Sequence, residues 1–371
     1  MANLEAKSYI STTELAVLIF VTCVGSQIFL APQGLIEQAG ANTWISVLAA
    51  GVLYFLAACC MVWLAMLFRD ESIVEYAPRI WGRWLGAGII LWFAVLFFMQ
   101  IAVILQGAGK VITFFMFDRT PPEVISMTFL FLCVYCAVQD IGTILRIQQF
   151  LLIVSYSLFY GVWMVTILSF QPENILPIFP LNLGQLSTVT LQSWTFYSGY
   201  EMILLLYPLL YRKTSFLSVV KWLGAVFSSM AFLYATMIII IIGVMTAASA
   251  QNTPYPALIV IRSVEIPGTF IERLESYLLI FWIPVVFDTL AMMLYVVSET
   301  AARHWGHKDH RPWVLIMTPC IYFMNAFLEY QSMREIFNQI MLWLGLLFSF
   351  GVIPLTLLLS RKRRREGKNL C

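Results

Sequence analysis

Two stretches, TCVGSQIFLAPQG at 22–34 and WTFYSGYEMILLLYP at 194–208, interrupt what are otherwise uniform apolar runs. Each sets a pair of small residues in mid-run, Gly25 with Ser26 and Ser198 with Gly199, and each carries a proline further along, Pro32 and Pro208. In a bilayer, backbone N–H and C=O groups freed by such a break find no water, so breaks persist only where protein or a polar cavity satisfies them. Breaks at corresponding positions of two halves of a chain point to a binding site near the membrane midplane.

Composition places the whole chain in that setting. Of 371 residues, 61% are hydrophobic and 11% charged, with a mean hydropathy of +0.84; soluble domains carry roughly 25% charged residues. The chain is an all-α polytopic membrane protein on this reading. No linker or low-complexity tract divides it, so residues 1–371 form one membrane domain. A crossing needs about 20 apolar residues, and ten windows qualify: 15–35, 44–68, 84–117, 121–138, 147–168, 191–211, 219–248, 277–297, 313–328 and 336–359.

Charge orients these ten windows, because cytoplasmic loops collect Lys and Arg. With the N-terminus inside, only Lys110, Arg119, Arg262, Arg273 and Arg334 fall outside, a split of 17 to 5 that a miscounted span would scramble. Both termini are then cytoplasmic, and the breaks lie in spans one and six. The halves, 11–168 and 190–359, become inverted five-helix repeats followed by a basic tail at 360–371. The RKRRR run at 361–365 reads as a positive-inside anchor beside lipid, not a nucleic-acid site. The first span is no cleaved signal peptide, since Glu14 opens it and no basic segment precedes it.

Other motifs carry little chemistry. Cys133 and Cys136 form a C-x-x-C inside an apolar window with no second ligand pair, so a metal site is not expected. The loop ARHWGHKDHRP holds all three histidines, with His304 and Asp309 in an H-x4-D spacing known from some membrane acyltransferases. The same pattern arises readily in a solvated cytoplasmic loop, and no catalytic residue is assigned.

Ionisable residues at mid-membrane are more informative, since each costs at least ~2.5 kcal/mol to insert. Glu201, two residues past Gly199, and Asp288, beside Thr289, qualify; Gln100 is a polar side chain at similar depth. A broken helix presents N–H groups that suit a carboxylate and carbonyls that suit an ammonium, so a zwitterionic amino acid matches it. Val24, Ile28, Val103 and Tyr197 would shape the side-chain pocket. Two plainer readings stand beside these: small residues for close helix packing, and a Glu201 that caps freed N–H groups.

The chain resembles the B subunits of spore-germination nutrient receptors, within the amino acid/polyamine/organocation transporter superfamily. Four segments carry the resemblance: GSQIFLAPQGLIEQAGANTWISVL (25–48), ENILPIFP (173–180), YSGYEMILLLYPLL (197–210) and FIERLESYLLIFWIPVVFDTLAMMLYV (270–296). Glu14 stands where Gln is usual and Glu275 where Asp is. The resemblance implies a leucine-transporter-like fold and a sensor in the inner membrane of a bacterial spore. It also implies larger A and lipoprotein C subunits as partners, and a nutrient, commonly an amino acid, as ligand. Carried onto this chain, the pocket is built from Gly25, Ser26, Val103, Ser198, Gly199 and Thr289. The rival reading is a secondary amino acid transporter with a co-bound H+ or Na+ and Glu201 as proton carrier.

Overall fold

The computed structural model describes residues 10–117, 119–176, 181–211, 214–263 and 274–365, with Ser26 described by its backbone alone. Arg273, the second half of the outer-loop motif (177–180) and the end of the basic tail lie outside the described residues. Helices account for nearly all of the rest, and the exposed side chains include Leu91, Phe131, Phe150, Phe232, Phe323 and Leu358. Large apolar groups displayed on so many helices need hydrocarbon around them. The molecule is an all-helical membrane protein.

Among the described residues, five helical runs are long and apolar enough to cross a membrane by length and composition: Pro32–Leu67, Arg83–Phe115, Phe216–Met245, Leu274–His304 and Gln331–Arg363. Shorter apolar helices cover Thr12–Gly25, Pro122–Ala137, Ile141–Ile153 and Tyr200–Leu209. In chain order the elements are α1 (Thr12–Gln27), α2 (Pro32–Ala39), α3 (Thr43–Leu67), α4 (Ile73–Trp81), α5 (Arg83–Phe115), α6 (Pro122–Ala137) and α7 (Ile141–Thr166). There follow α8 (Leu183–Gln192), α9 (Trp194–Tyr197), α10 (Ile203–Leu206), α11 (Phe216–Met245), α12 (Ala247–Ala250) and α13 (Pro256–Arg262). The chain closes with α14 (Leu274–His304), α15 (Arg311–Phe327), α16 (Gln331–Leu347) and α17 (Ile353–Arg365). A π-helical turn, Phe348–Val352, joins the last two.

Local sequence explains how the first broken run is set. Ser11 and Glu14 form a reciprocal capping box at the start of α1: the Glu14 N–H donates to Ser11 Oγ at 3.1 Å and the Ser11 N–H to Glu14 Oε2 at 2.7 Å. Both otherwise orphaned donors are thereby satisfied. The Gln149 amide of α7 donates to the other Glu14 oxygen at 3.3 Å. Just before this cap, Ile10 pairs with the far end of the second broken run, its N–H donating to Leu209 O at 2.8 Å while the Tyr211 N–H donates to Ile10 O at 3.3 Å.

The first interruption differs from the sequence expectation. α1 runs straight through Gly25 and Ser26 to Gln27, and the chain leaves the helix over residues 28–31. The reason is that a glycine in a helix costs only about 1 kcal/mol, whereas Pro32 has no N–H to offer the Ile28 carbonyl. Leu30 and Ala31 both turn back to donate to Gln27 O at 3.0 Å, and Pro32 then opens α2 at a position where no N–H is needed.

α14 sits at the centre, in contact with α1, α5, α6, α7 and α15 and buried along most of its length. The helix α4, short and capped by Ser72 and Glu75 in a second capping box, was not anticipated from hydropathy. It folds back on α5, where Gly86 lies so near Pro78 that an added Cβ would stand 2.4 Å from its Cα.

Candidate ligand site between the two interruptions

The second interruption begins where α9 ends. Ser198 is extended (φ −60°, ψ 141°) and Gly199 takes φ 113°, a left-handed conformation open to glycine. An added Cβ there would stand 3.2 Å from Thr22 Cγ2, so the turn also lies hard against α1. Glu201 curls back over the break: its Oε2 accepts the Gly199 N–H at 2.8 Å and its Oε1 the Trp194 indole N–H at 3.0 Å. The carboxylate is 1% exposed and caps the freed donors. The plainer of the two sequence readings of Glu201 describes this geometry.

Tyr234, in the middle of α11, joins the two broken runs. Its hydroxyl lies 2.9 Å from Phe196 O and 3.1 Å from Cys23 O, so one donor serves a carbonyl on either run. Sequence reasoning passed over it, because a tyrosine in YATMIIII reads as packing. The Tyr200 hydroxyl donates to Ser349 in the π-turn at 2.8 Å, tying the break to the α16–α17 joint.

The predicted pocket residues do not all converge. Gly25 packs on α14, where an added Cβ would meet Thr289 Oγ1 at 2.3 Å and Val285 Cγ1 at 2.9 Å. Thr289 in turn donates to Val21 O at 3.4 Å. Small-residue packing therefore describes Gly25. Tyr197 points its hydroxyl at Val47 O of α3, 3.1 Å away, between the rings of Tyr54 and Phe227. Val24 faces a small apolar void shared with Phe20, Tyr156 and Phe159, and Ile28 is fully buried. The Ser198 hydroxyl donates to Thr195 O at 3.1 Å. Asp288 is buried next to Gln148 and does not line the void beside Val24.

A polar cavity of about 540 Å³ opens instead above the breaks, bounded by the end of α1, α2, α5, the α8–α9 joint and α16. Of the predicted residues, Val103 lines it. Five amides, Gln27, Gln38, Gln192, Asn338 and Gln339, supply its polar wall together with Glu37 and Glu335, and among the described residues no Lys, Arg or His lines it. Amides donate and accept alike, so the wall suits a small polar molecule and repels a net anion. One helical turn below Val103 on α5 sits Gln100, 2% exposed, with both amide atoms lacking a hydrogen bond. A buried amide left wholly unsatisfied is costly, and residues three apart share a helix face. Gln100 thus lies one helical turn along α5 from the cavity lining, with its hydrogen-bonding capacity unspent.

The histidine loop assembles no catalytic pair. The Trp313 indole donates to His307 Nδ1 at 3.0 Å, His310 Nε2 lies 3.0 Å from Ala137 O, and His304 packs edge-on against Trp305. Asp309 accepts the Arg311 N–H at 3.0 Å. Among the described residues no group of three His, Cys, Asp or Glu side chains is placed to hold a metal.

Against known proteins, residues 9–334 match the family model described as spore germination protein. The spore germination protein YndE of Bacillus subtilis is 26% identical over 97% of this chain and 98% of its own length. Spore germination protein A2 of the same organism is 25% identical, covering 94% of each chain, and GerLB of Bacillus cereus is 22% identical over 97% and 96%. Among solved structures, MhsT in complex with L-phenylalanine superposes with a TM-score of 0.70 at 11% identity, covering 95% of this chain and 88% of that one. A Na+-coupled sialic acid symporter superposes at 0.65 and 10% identity over 93% and 80%. The fold is leucine-transporter-like, shared with these two structures.

Proposed function

The chain belongs to the spore germination protein family, and on that premise we propose that it is the nutrient-sensing B-type subunit of a spore germinant receptor. Its ligand is a small polar nutrient, an amino acid in the first instance, held at the cavity beside the two interruptions. The proposal takes the ten apolar segments as ten crossings with both ends inside, arranged as inverted repeats over 11–168 and 190–359. It places the protein in the inner membrane of a spore, beside A and C subunits.

One observation carries this reading: the polar cavity lies where both broken runs and α5 meet, and an unsatisfied Gln100 lies one helical turn along α5 from its lining residue Val103. A ligand amide, ammonium or carboxylate that reached Gln100 would be held where helix ends and the α16–α17 π-turn are close. Sensing then requires only that the ligand bind one arrangement of these ends better than another.

The test is the dose response of spores carrying altered chains. Gln100→Leu is expected to raise the nutrient concentration for half-maximal germination about tenfold, the equivalent of one hydrogen bond of roughly 1.4 kcal/mol. Val103→Phe, which fills part of the cavity, is expected to abolish the response at unchanged membrane abundance. Two unchanged curves would sink the site.

Transport of the nutrient is the second reading, drawn from the shared fold with a Na+-coupled symporter. Fold alone does not fix function. Purified chain in proteoliposomes is expected to show no uphill accumulation of labelled amino acid under a proton or sodium gradient. Robust accumulation would replace sensing by coupled transport.

A further inference from the structure

We propose that Asp288 on α14 and Gln148 on α7 form a proton-binding site, separate from the nutrient cavity, that governs how α1 sits against the second interruption. Both side chains are wholly buried, at 0% exposure. Neither Asp288 oxygen has a hydrogen-bond partner, and neither does Gln148 Oε1. Gln148 is the polar side chain that faces Asp288, and its Nε2 donates to Thr22 Oγ1 on α1 at 3.5 Å. From α6 the thiols of Cys133 and Cys136 are the titratable groups that act there, and no Lys, Arg or His among the described residues acts on the Asp288 carboxyl.

Hydrogen-bond accounting assigns the proton. The two Asp288 oxygens and Gln148 Oε1 are three acceptors gathered around a single amide donor, the Gln148 NH2, which is engaged with Thr22, in an interior where an unpaired ionised carboxylate is strongly disfavoured. One proton on Asp288 repairs the set, because the acid O–H then donates to Gln148 Oε1 while Nε2 keeps Thr22. Glu201 is the contrast: it accepts two N–H donors and is satisfied without a proton. The site therefore falls to Asp288 and not to Glu201, which the rival transport reading would make the carrier.

The chain of contacts gives the proton a reach beyond its own residue. If Asp288 ionises, the one donor at hand is the Gln148 NH2, and turning it towards the carboxylate withdraws it from Thr22. Thr22 is the residue that an added Cβ at Gly199 would strike first. Loss of one proton on α14 is thus felt through α7 and α1 at the turn where the second run breaks.

Infrared spectra of the full-length chain in lipid nanodiscs test this without any ligand. At neutral pH a protonated-carboxyl C=O band is expected, absent in Asp288→Asn, a near-isosteric change. In Gln148→Leu the band is expected to remain but move to higher wavenumber, since the acid loses its acceptor. It should be the same in sodium and in choline buffers. A spectrum without the band, a band that persists in Asp288→Asn, one unmoved in Gln148→Leu, or one that sodium removes would each overturn the proposal. The nutrient dose response is independent of these readings, so failure here leaves the cavity assignment standing.

Discussion

Alanine at position 25 is expected to abolish or strongly blunt the nutrient response and to lower the thermal stability of the purified chain. The added methyl would lie 2.3 Å from Thr289 Oγ1, 2.9 Å from Val285 Cγ1 and 3.1 Å from Val285 O. The last of these is backbone, and the threonine hydroxyl is too short to swing clear. Overpacking of this kind costs about 1–3 kcal/mol. The strain falls on the seat of α1 against α14, at the helix that leads into the first interruption. Thr289→Ala removes the nearest atom, so Gly25→Ala with Thr289→Ala is expected to recover part of the lost stability. An unaltered melting curve and dose response for Gly25→Ala would show that α1 is not held tightly at this level.

The second large effect is at Glu201. Glu201→Leu strands the Gly199 N–H and the Trp194 indole N–H in a buried site. Each lost acceptor costs about 1–3 kcal/mol, and a marked fall in folded protein is expected. Glu201→Gln keeps one acceptor but sets its NH2 against one of the two donors, so an intermediate loss is expected. In a Trp194→Phe background the indole donor is gone, the Gln carbonyl can serve Gly199, and the penalty of Glu201→Gln should shrink. Melting curves of the four proteins form a double-mutant cycle. Were Glu201 a proton carrier instead, Glu201→Gln would disable function equally in both backgrounds while stability stayed level.

How much of this could be read in advance depends on where the information sits. Hydropathy located the apolar segments because burial in lipid acts on each segment separately, as the exposed Phe131 and Phe150 illustrate. The resemblance to germination receptor subunits was legible in ordered motifs spread along the chain, and the family match over residues 9–334 agrees with it. Gly25 was noticed for its size, but the cause of that size is Val285 and Thr289, some 260 positions away, and no local pattern records a helix-to-helix approach. The break was placed at Gly25 and Ser26 by their small size, whereas the decisive atom is the hydrogen that Pro32 lacks. The cavity wall escaped for another reason. Gln192 and Asn338 stand near the ends of apolar segments, where polar residues look like ordinary interfacial caps, and only the fold gathers them with Gln27. The capping box of Ser72 and Glu75 was a local signal for α4 that hydropathy windows ignore.

The pairing of Ile10 with the stretch from Leu209 to Tyr211 has a mechanical consequence. It fastens the chain just ahead of α1 to the end of the second broken run through two backbone hydrogen bonds. Such bonds are worth about 0.5–1.5 kcal/mol each, so the clasp is strong enough to keep α1 parked and weak enough to be released by modest work. With its foot fastened there and its head turning over residues 28–31, α1 is a strut between two joints. Tilting it requires unclasping the foot, and that motion pulls directly on the end of the second run.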